Sequence, residues 1–282
     1  MTIAEMNTHL SSGEVGGVYL FYGPEDYFKD YYIARLRDMI VSDSTLNYIK
    51  FSTKVTQKDL IDHCDAIPMF GGRKMILVCD SGFFSLKEAD ETLPAYLTQL
   101  PAHTCLVFRE ASVDKRSKLY KAVEKSGIVF SCERQTSAMI CKLLSKAARV
   151  SHRDITKDAA ELMVLGIGDD LTRLLSELEK LILFTKDGEV ISEAHVREVC
   201  TLSVSSRVFD LTDAISENNR EKAFIYLKSL LDAKEPPQLL LIMVARVFMQ
   251  MYDAKLLMQE GTSYGDIAAA IGVKDFIARK LC

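Results

Sequence analysis

Residues 18–28, VYLFYGPEDYF, begin with five consecutive apolar or aromatic side chains and pass through a Gly-Pro turn into an acidic helix start. An uninterrupted run of this kind fits a strand covered on both faces by helices, because a strand with one wet face alternates apolar and polar residues. The pattern recurs outward from there. Residues 48–52, 75–79, 104–108 and 128–132 read YIKFS, MILVC, TCLVF and IVFSC, all rich in β-branched and aromatic side chains. Helical patterns separate them. Residues 26–40 carry Phe28, Tyr31, Tyr32, Leu36, Met39 and Ile40 along one side, and residues 118–125 form a second crossover. Five strands alternating with helices predict a parallel α/β sheet.

After about Thr136 the strand-like runs stop and the apolar period becomes helical. From Asp169 onward, Leu171, Leu174, Leu175, Leu178, Leu181 and then Ile182 or Leu183 form an i, i+3, i+4, i+7 stripe, with Asp169 as the expected N-cap. Ser192 is expected to start a further helix to about Cys200. The small polar segment 201–207, TLSVSSR, lacks a period and is read as a boundary, with helices resuming at Phe209, Arg220, after Pro236-Pro237 and at Tyr264. Three domains are expected: an α/β domain over 1–135, a helical domain over 136–205 and a second helical domain over 206–282.

Composition narrows the function classes. Of 282 residues, 48% are hydrophobic and 26% charged, with 14 Gly and 6 Pro, so most of the chain should fold around cores. A formal net charge of −4 argues against a protein that coats nucleic acid indiscriminately, since such affinity comes from Lys and Arg displacing condensed counterions. The seven cysteines are odd in number, widely spaced and without a CxxC pair, which points to neither a disulfide framework nor a zinc site. Residues 1–10, MTIAEMNTHL, have no basic segment followed by an apolar one, as a secretion signal would. The longest apolar run, 239–245, ends at Arg246, far short of the roughly 20 residues needed to span a bilayer. A cytoplasmic, reduced protein without membrane contact is expected.

The turn after the first strand is where a parallel sheet of this type would cradle phosphate. That chemistry needs GxxxxGK[ST], with glycines exposing backbone N–H groups to the anion, Lys for the outer phosphates and a hydroxyl for Mg²⁺. Here the residues are Gly23-Pro24-Glu25-Asp26, in which Pro lacks an N–H and two carboxylates repel phosphate. Neither ATP nor any other cofactor is expected. Gly71-Gly72-Arg73-Lys74 precedes a strand and reads as a turn, and Asp80 reads as a solvated strand end. His9, His63, His103, His152 and His195 stand apart, with no HExxH pair, and no GxSxG nucleophile signature occurs. Lys115, Arg116 and Lys118 are the remaining candidates for phosphate contact, although such clusters are more often solvated helix starts.

One segment departs from this pattern. Residues 57–74, QKDLIDHCDAIPMFGGRK, read as an amphipathic helix through Leu60, Ile61 and Cys64 that must end near Ile67, because Pro68 disfavours the α conformation in the residue before it. Ile67, Met69 and Phe70 then sit on an irregular tip ahead of two glycines that permit a sharp return. Large apolar residues at such a place either plug the end of their own sheet or form a wedge for another protein.

Several stretches, in order along the chain, are similar to the delta family of bacterial clamp loaders of DNA polymerase III. They are VYLFYGPEDYF (18–28), PMFGGRKMILV (68–78), HTCLVFREASVDKRSKLYKAVEKSGIVF (103–130), DDLTRLLSELEKLILF (169–184) with ISEAHVREV (191–199), VFDLTDAI (208–215) and PPQLLLIMVARVF (236–248). The resemblance implies a degenerate AAA+ fold with a RecA-like parallel five-stranded sheet, a small helical lid domain and a helical collar domain. It implies no catalysis by the subunit itself, with ATP hydrolysed by the gamma/tau subunits of the loader. Implied partners are the sliding clamp (beta), gamma/tau and delta prime through the collar, and primer-template DNA within the assembled complex. It assigns to Ile67, Met69 and Phe70 the role of a hydrophobic wedge that enters a pocket of the clamp and favours its open ring. Family members usually continue for some helices beyond IARKLC (277–282), so an incomplete collar is expected. The delta-prime relative fits less well, since neither its Ser-Arg-Cys finger nor its cysteine-rich insertion is found. The reading from another class is a nucleotide-binding α/β enzyme with a helical substrate lid.

Overall fold

The computed structural model describes residues 1–41, 45–52, 54–69, 71–85 and 91–282, and Phe70 lies outside the described residues. Two compact units divide the chain, Met1–Arg134 and Gln135–Cys282.

The first unit begins with helix α1 (Ile3–Ser12), which the sequence reading did not anticipate. Thr2 and Glu5 satisfy each other's backbone N–H groups in a capping box, at 2.7 and 3.3 Å, and the helix buries Met6 and Leu10. Strand β1 (Gly17–Tyr22) follows, then α2 (Asp26–Ile40), β2 (Tyr48–Phe51), α3 (Gln57–Asp65), β3 (Lys74–Cys79), α4 (Thr92–Tyr96), β4 (Thr104–Glu110), α5 (Lys118–Ser126) and β5 (Ile128–Ser131). The strands order as β2-β3-β4-β1-β5, and each neighbouring pair is parallel. This is the parallel five-stranded sheet that the strand pattern and the resemblance lead one to expect.

Alternation along the strands explains why their apolar runs are continuous. Val18, Leu20 and Tyr22 of β1, with Ile76, Val78, Leu106 and Phe108, pack with Leu60 and Cys64 of α3, Leu93 of α4 and Leu119 and Val123 of α5. The intervening Tyr19 and Phe21 point to the other face, where Phe21 stacks on Tyr32 of α2 at 6.4 Å and His9 of α1 meets the Tyr19 hydroxyl at 2.9 Å. Both faces are therefore covered. In α2 the buried stripe is not quite the expected one. Tyr31 and Met39 are exposed, whereas Ile33 and, unexpectedly, Lys29 are buried.

The second unit is helical: α6 (Ser137–Val150), α7 (Lys157–Ile167), α8 (Leu171–Phe184), α9 (Glu193–Val199), α10 (Val204–Ser216), α11 (Arg220–Asp232), α12 (Pro237–Gln259), α13 (Tyr264–Ile271) and α14 (Asp275–Leu281). Leu171, Leu174, Leu178 and Leu181 are buried as the stripe predicts, but Leu183 is exposed. The cap of α8 is Asp170, not Asp169. Its carboxylate accepts from the Arg173 N–H at 3.1 Å, while Asp169 lies 3.8 Å from Lys274. Within the segment 201–207, α10 has already begun at Val204. Ser203 accepts from the Ser206 N–H at 3.3 Å and caps α10, and Ser206 itself is fully buried. Small polar residues there serve a helix start, which a search for apolar periodicity overlooks. Among the described residues no helix is long and apolar enough to cross a membrane.

Candidate functional site

The tip between α3 and β3 is held from several sides. Thr56 caps α3 by accepting from the Asp59 N–H at 3.1 Å, and Leu60 and Cys64 fasten the helix to the sheet. Helix α3 ends at Asp65, two residues before the expected Ile67, because Ala66 already has an extended ψ of 138°. Its last carbonyls would lack partners. Thr104, at the start of β4, donates its hydroxyl to the Cys64 carbonyl at 2.8 Å, and Lys74, opposite Thr104 on β3, donates its ammonium to the carbonyls of His63, at 2.6 Å, and Ala66. Burial pulls the Lys74 ammonium below its ordinary pKa. Lys74 thus caps a helix, a role the reading of Gly71-Gly72-Arg73-Lys74 as a simple turn omitted.

Beyond that anchor the chain turns its apolar residues outward. Pro68 is buried, while Ile67 and Met69 on either side of it are 84% and 56% exposed. The side-chain amide of Asn47, just before β2, brackets Met69: Asn47 Nδ2 donates to the Met69 carbonyl at 3.0 Å, and the Met69 N–H donates to Asn47 Oδ1 at 2.8 Å. Gly71 and Gly72 then take φ of +79° and +80°, a region that a side chain would strain, and return the chain into β3. The structure thus brings Ile67 and Met69 together on a pinned, irregular turn. Asn47 and Lys74 position that turn. Asn47 left no local sequence signal, since it lies 22 residues from its partner. Lys74 left a faint one, as a charged residue opening an otherwise apolar strand.

The opposite end of the strands, after β1, carries the turn where phosphate would bind in a functional relative of this fold. Gly23 has φ +121°, and a Cβ there would stand 2.5 Å from the Cys132 carbonyl oxygen. That same oxygen accepts from the Glu25 N–H at 3.0 Å, so an amide that might face an anion is already used. The buried Lys29 ammonium donates to the Gly23 carbonyl at 2.6 Å and the Glu110 carbonyl at 3.3 Å, and pairs with Asp26 at 2.9 Å. Arg109 joins Asp26 and Asp30, each at 2.8 Å. The Lys29 hydrogen bond, with help from Arg109, holds the Asp26 carboxyl below the usual carboxylate range. Cations and amides here are satisfied by the protein's own oxygens.

The remaining candidates are accounted for locally. Asp80, at φ +46°, accepts from the Ala111 N–H at 3.1 Å and closes a loop. Arg116 pairs with Asp114 at 2.8 Å, Lys118 with Glu91, and Lys115 lies 5.8 Å over the Tyr22 ring. Among the described residues no group of three or more His, Cys, Asp or Glu side chains could hold a metal ion.

Comparison with known proteins adds independent observations. Residues 19–133 match the family model described as DNA polymerase III, delta subunit, and residues 205–282 match that of the delta subunit's C-terminal domain. The chain is similar to DNA polymerase III subunit delta of Bacillus subtilis, with 24% identity over 280 residues, 95% of this chain and 80% of the relative. It is also similar to the probable DNA polymerase III subunit delta of Aquifex aeolicus, with 21% identity over 269 residues, 92% of this chain and 76% of the relative. In fold it resembles the solved Bacillus subtilis DNA clamp loader delta protein, with a TM-score of 0.63 and 23% identity, covering 99% of this chain and 86% of that one.

Proposed function

The chain belongs to the DNA polymerase III delta subunit family, and on that premise we propose that it is the clamp-opening subunit of a replicative clamp loader. The single observation that carries the reading is the tip. Ile67 and Met69 are 84% and 56% exposed on a turn whose backbone is fixed by Asn47 and whose supporting helix is fixed by Lys74. Exposed apolar residues on a rigid base are pre-organised for a hydrophobic pocket, since little conformational freedom is lost when they dock. Together with Phe70 they form the wedge that enters the sliding clamp (beta). A ligand shifts an equilibrium only through its differential affinity, so the wedge binds the open or strained ring more tightly than the closed one.

In this reading the subunit neither binds nor hydrolyses ATP and works in the cytoplasm. Hydrolysis belongs to neighbouring gamma/tau subunits, which with delta prime meet this chain through a collar, while primer-template DNA is bound in the assembled loader. The domains are an AAA+ module over 1–135, a lid over 136–205 and the collar over 206–282. Helix α12 supports the collar assignment. It buries Leu240, Val247 and Ala254 inward yet leaves Leu241, Ile242, Met249 and Tyr252 exposed, and a helix apolar on several sides requires a further partner.

The test is binding to the sliding clamp of the same organism immobilised on a sensor surface, together with a fluorescence pair placed across a clamp interface. The wild-type chain is expected to bind and to separate the pair. A chain with Ile67→Ala, Met69→Ala and Phe70→Ala is expected to do neither while melting at the wild-type temperature. Unimpaired binding by that variant would refute the assignment.

A further inference from the structure

A second chain segment stands beside the tip. Residues Thr45–Asn47 form a short 3₁₀ turn that leads directly into β2. The turn buries Asn47, which is 8% exposed, and leaves Leu46 60% exposed. The Asn47 amide makes its two hydrogen bonds to the Met69 backbone, at 3.0 and 2.8 Å, and Leu46 precedes Asn47 by one residue, a Cα step of about 3.8 Å. Strands β2 and β3 run parallel with Tyr48 opposite Met75, so the turn and the tip leave the same end of two neighbouring strands. Leu46 is therefore carried at the side of the tip.

A lone exposed leucine needs no explanation, because much of any folded surface is apolar. Leu46 is not alone. Among the described residues of the first unit, the large apolar side chains more than half exposed are Leu46, Ile67 and Met69, at 60%, 84% and 56%. All three sit on the two segments that the Asn47 amide joins. Met1, Tyr31 and Met39 are exposed by less than half and stand elsewhere, Met1 ahead of α1 and the other two on α2. Exposed apolar side chains gathered in one place mark a contact for another protein.

We propose that Leu46 is a further clamp-contacting residue, so that the clamp-binding surface is built from two chain segments and not from the tip alone. The proposal rests on the clamp-binding reading, in which the wedge consists of Ile67, Met69 and Phe70. Leu46 meets an apolar rim of the clamp beside the pocket that takes the wedge. Its fixed place is what suits it to that contact. Because Asn47 ties its backbone to Met69, docking of the tip brings Leu46 into register with little further loss of chain freedom.

The test is calorimetric titration of the full chain with the sliding clamp of the same organism, beside thermal melts. The chains compared are the wild type, Leu46→Ala, Leu46→Met, Ile67→Ala, Met39→Ala, Asn47→Ala and Leu46→Ala/Asn47→Ala. Leu46→Ala removes three carbons, and scaling their burial by the exposed fraction gives about tenfold weaker binding with an unchanged melting temperature. Leu46→Met keeps the volume and the apolar surface and should stay within about threefold of wild type. Met39→Ala, on α2, should bind as wild type. The double variant separates direct contact from an indirect effect through the Asn47 bracket: a direct contact loses about tenfold again when Asn47 is already Ala, and an indirect one loses nothing more. Full affinity of Leu46→Ala beside weakened binding by Ile67→Ala would overturn this inference and leave the wedge reading standing, whereas absence of clamp binding by the wild type would overturn both. No added loss in the Asn47→Ala background, or a Leu46→Ala chain that melts several degrees early, would also overturn it, by making Leu46 a structural residue of its own unit.

Discussion

Replacing Ile67 by Ala should weaken clamp binding about 30-fold while leaving the fold intact. The side chain is 84% exposed in the free chain, so it contributes little to its own unit, and surface substitutions of this kind stay within about 0.5 kcal/mol. The expected shift in melting temperature is then below about 2 °C. In the complex the accounting differs. The substitution removes three carbons, worth about 0.8 kcal/mol each when buried, and scaling by the exposed fraction leaves about 2 kcal/mol for the partner to gain. Each 1.4 kcal/mol is about tenfold in affinity, hence the 30-fold loss. Met69, with 56% of its surface available, should lose less on truncation, about tenfold by the same scaling. Calorimetric titration of the clamp, beside thermal melts of each variant, reads both quantities. An Ile67→Ala protein that melts several degrees early yet binds normally would mean that the residue is a plug of its own sheet. A loss at Met69 tenfold greater than at Ile67 would refute the reasoning from exposure.

Three further outcomes follow from the same residues. Asn47→Ala strips Met69 of both backbone hydrogen bonds, so stability should fall by about 2 kcal/mol, and clamp affinity should fall as well although Asn47 is itself buried; unchanged affinity would show that the tip needs no bracing. Asp26→Asn should lower the melting temperature at neutral pH, and the gap to wild type should close as pH falls below 3.8, because a depressed folded pKa contributes stability that is full above the unfolded value and is lost as pH falls through the folded one; a gap that persists in acid would refute the pairing. Equilibrium dialysis with labelled ATP should show no specific site, as Lys29 and the Glu25 amide are already engaged; micromolar affinity would favour the nucleotide-binding enzyme.

The sheet was legible because burial on both faces leaves a direct mark on sequence: Val18, Leu20 and Tyr22 serve one face and Tyr19 and Phe21 the other, so no polar residue interrupts the run. Elements whose signals are polar were harder to see. Helix α1 announces itself through Thr2 and Glu5 more than through its apolar stripe, and α10 begins among serines, which propensity alone assigns to loops. The cap of α8 was displaced by one residue because Asp169 and Asp170 are chemically equivalent, and only the helix register decides between them.

At the tip, Pro68 and the two glycines announced an irregular turn, and the apolar residues around them announced either a plug or a wedge. Choosing between these needs exposure, which depends on contacts made far away in sequence. Pro68 turns out to be the plug, leaving Ile67 and Met69 to point outward. The helix was expected to run to near Ile67, but α3 stops at Asp65, and Ile67 is left more exposed than Met69. What stops it there is carbonyl satisfaction. Lys74 and Thr104, paired across β3 and β4, take the final carbonyls of α3, so the helix need not run on to find partners. A buried lysine is expensive to keep in an apolar sheet, and its retention makes sense if the end of α3 has to be held in one place. The same logic applies to Asn47, whose amide supplies Met69 with the donor and acceptor of an absent strand neighbour. Both residues are polar groups placed where an apolar side chain would pack as well but would not fix the direction in which the tip points.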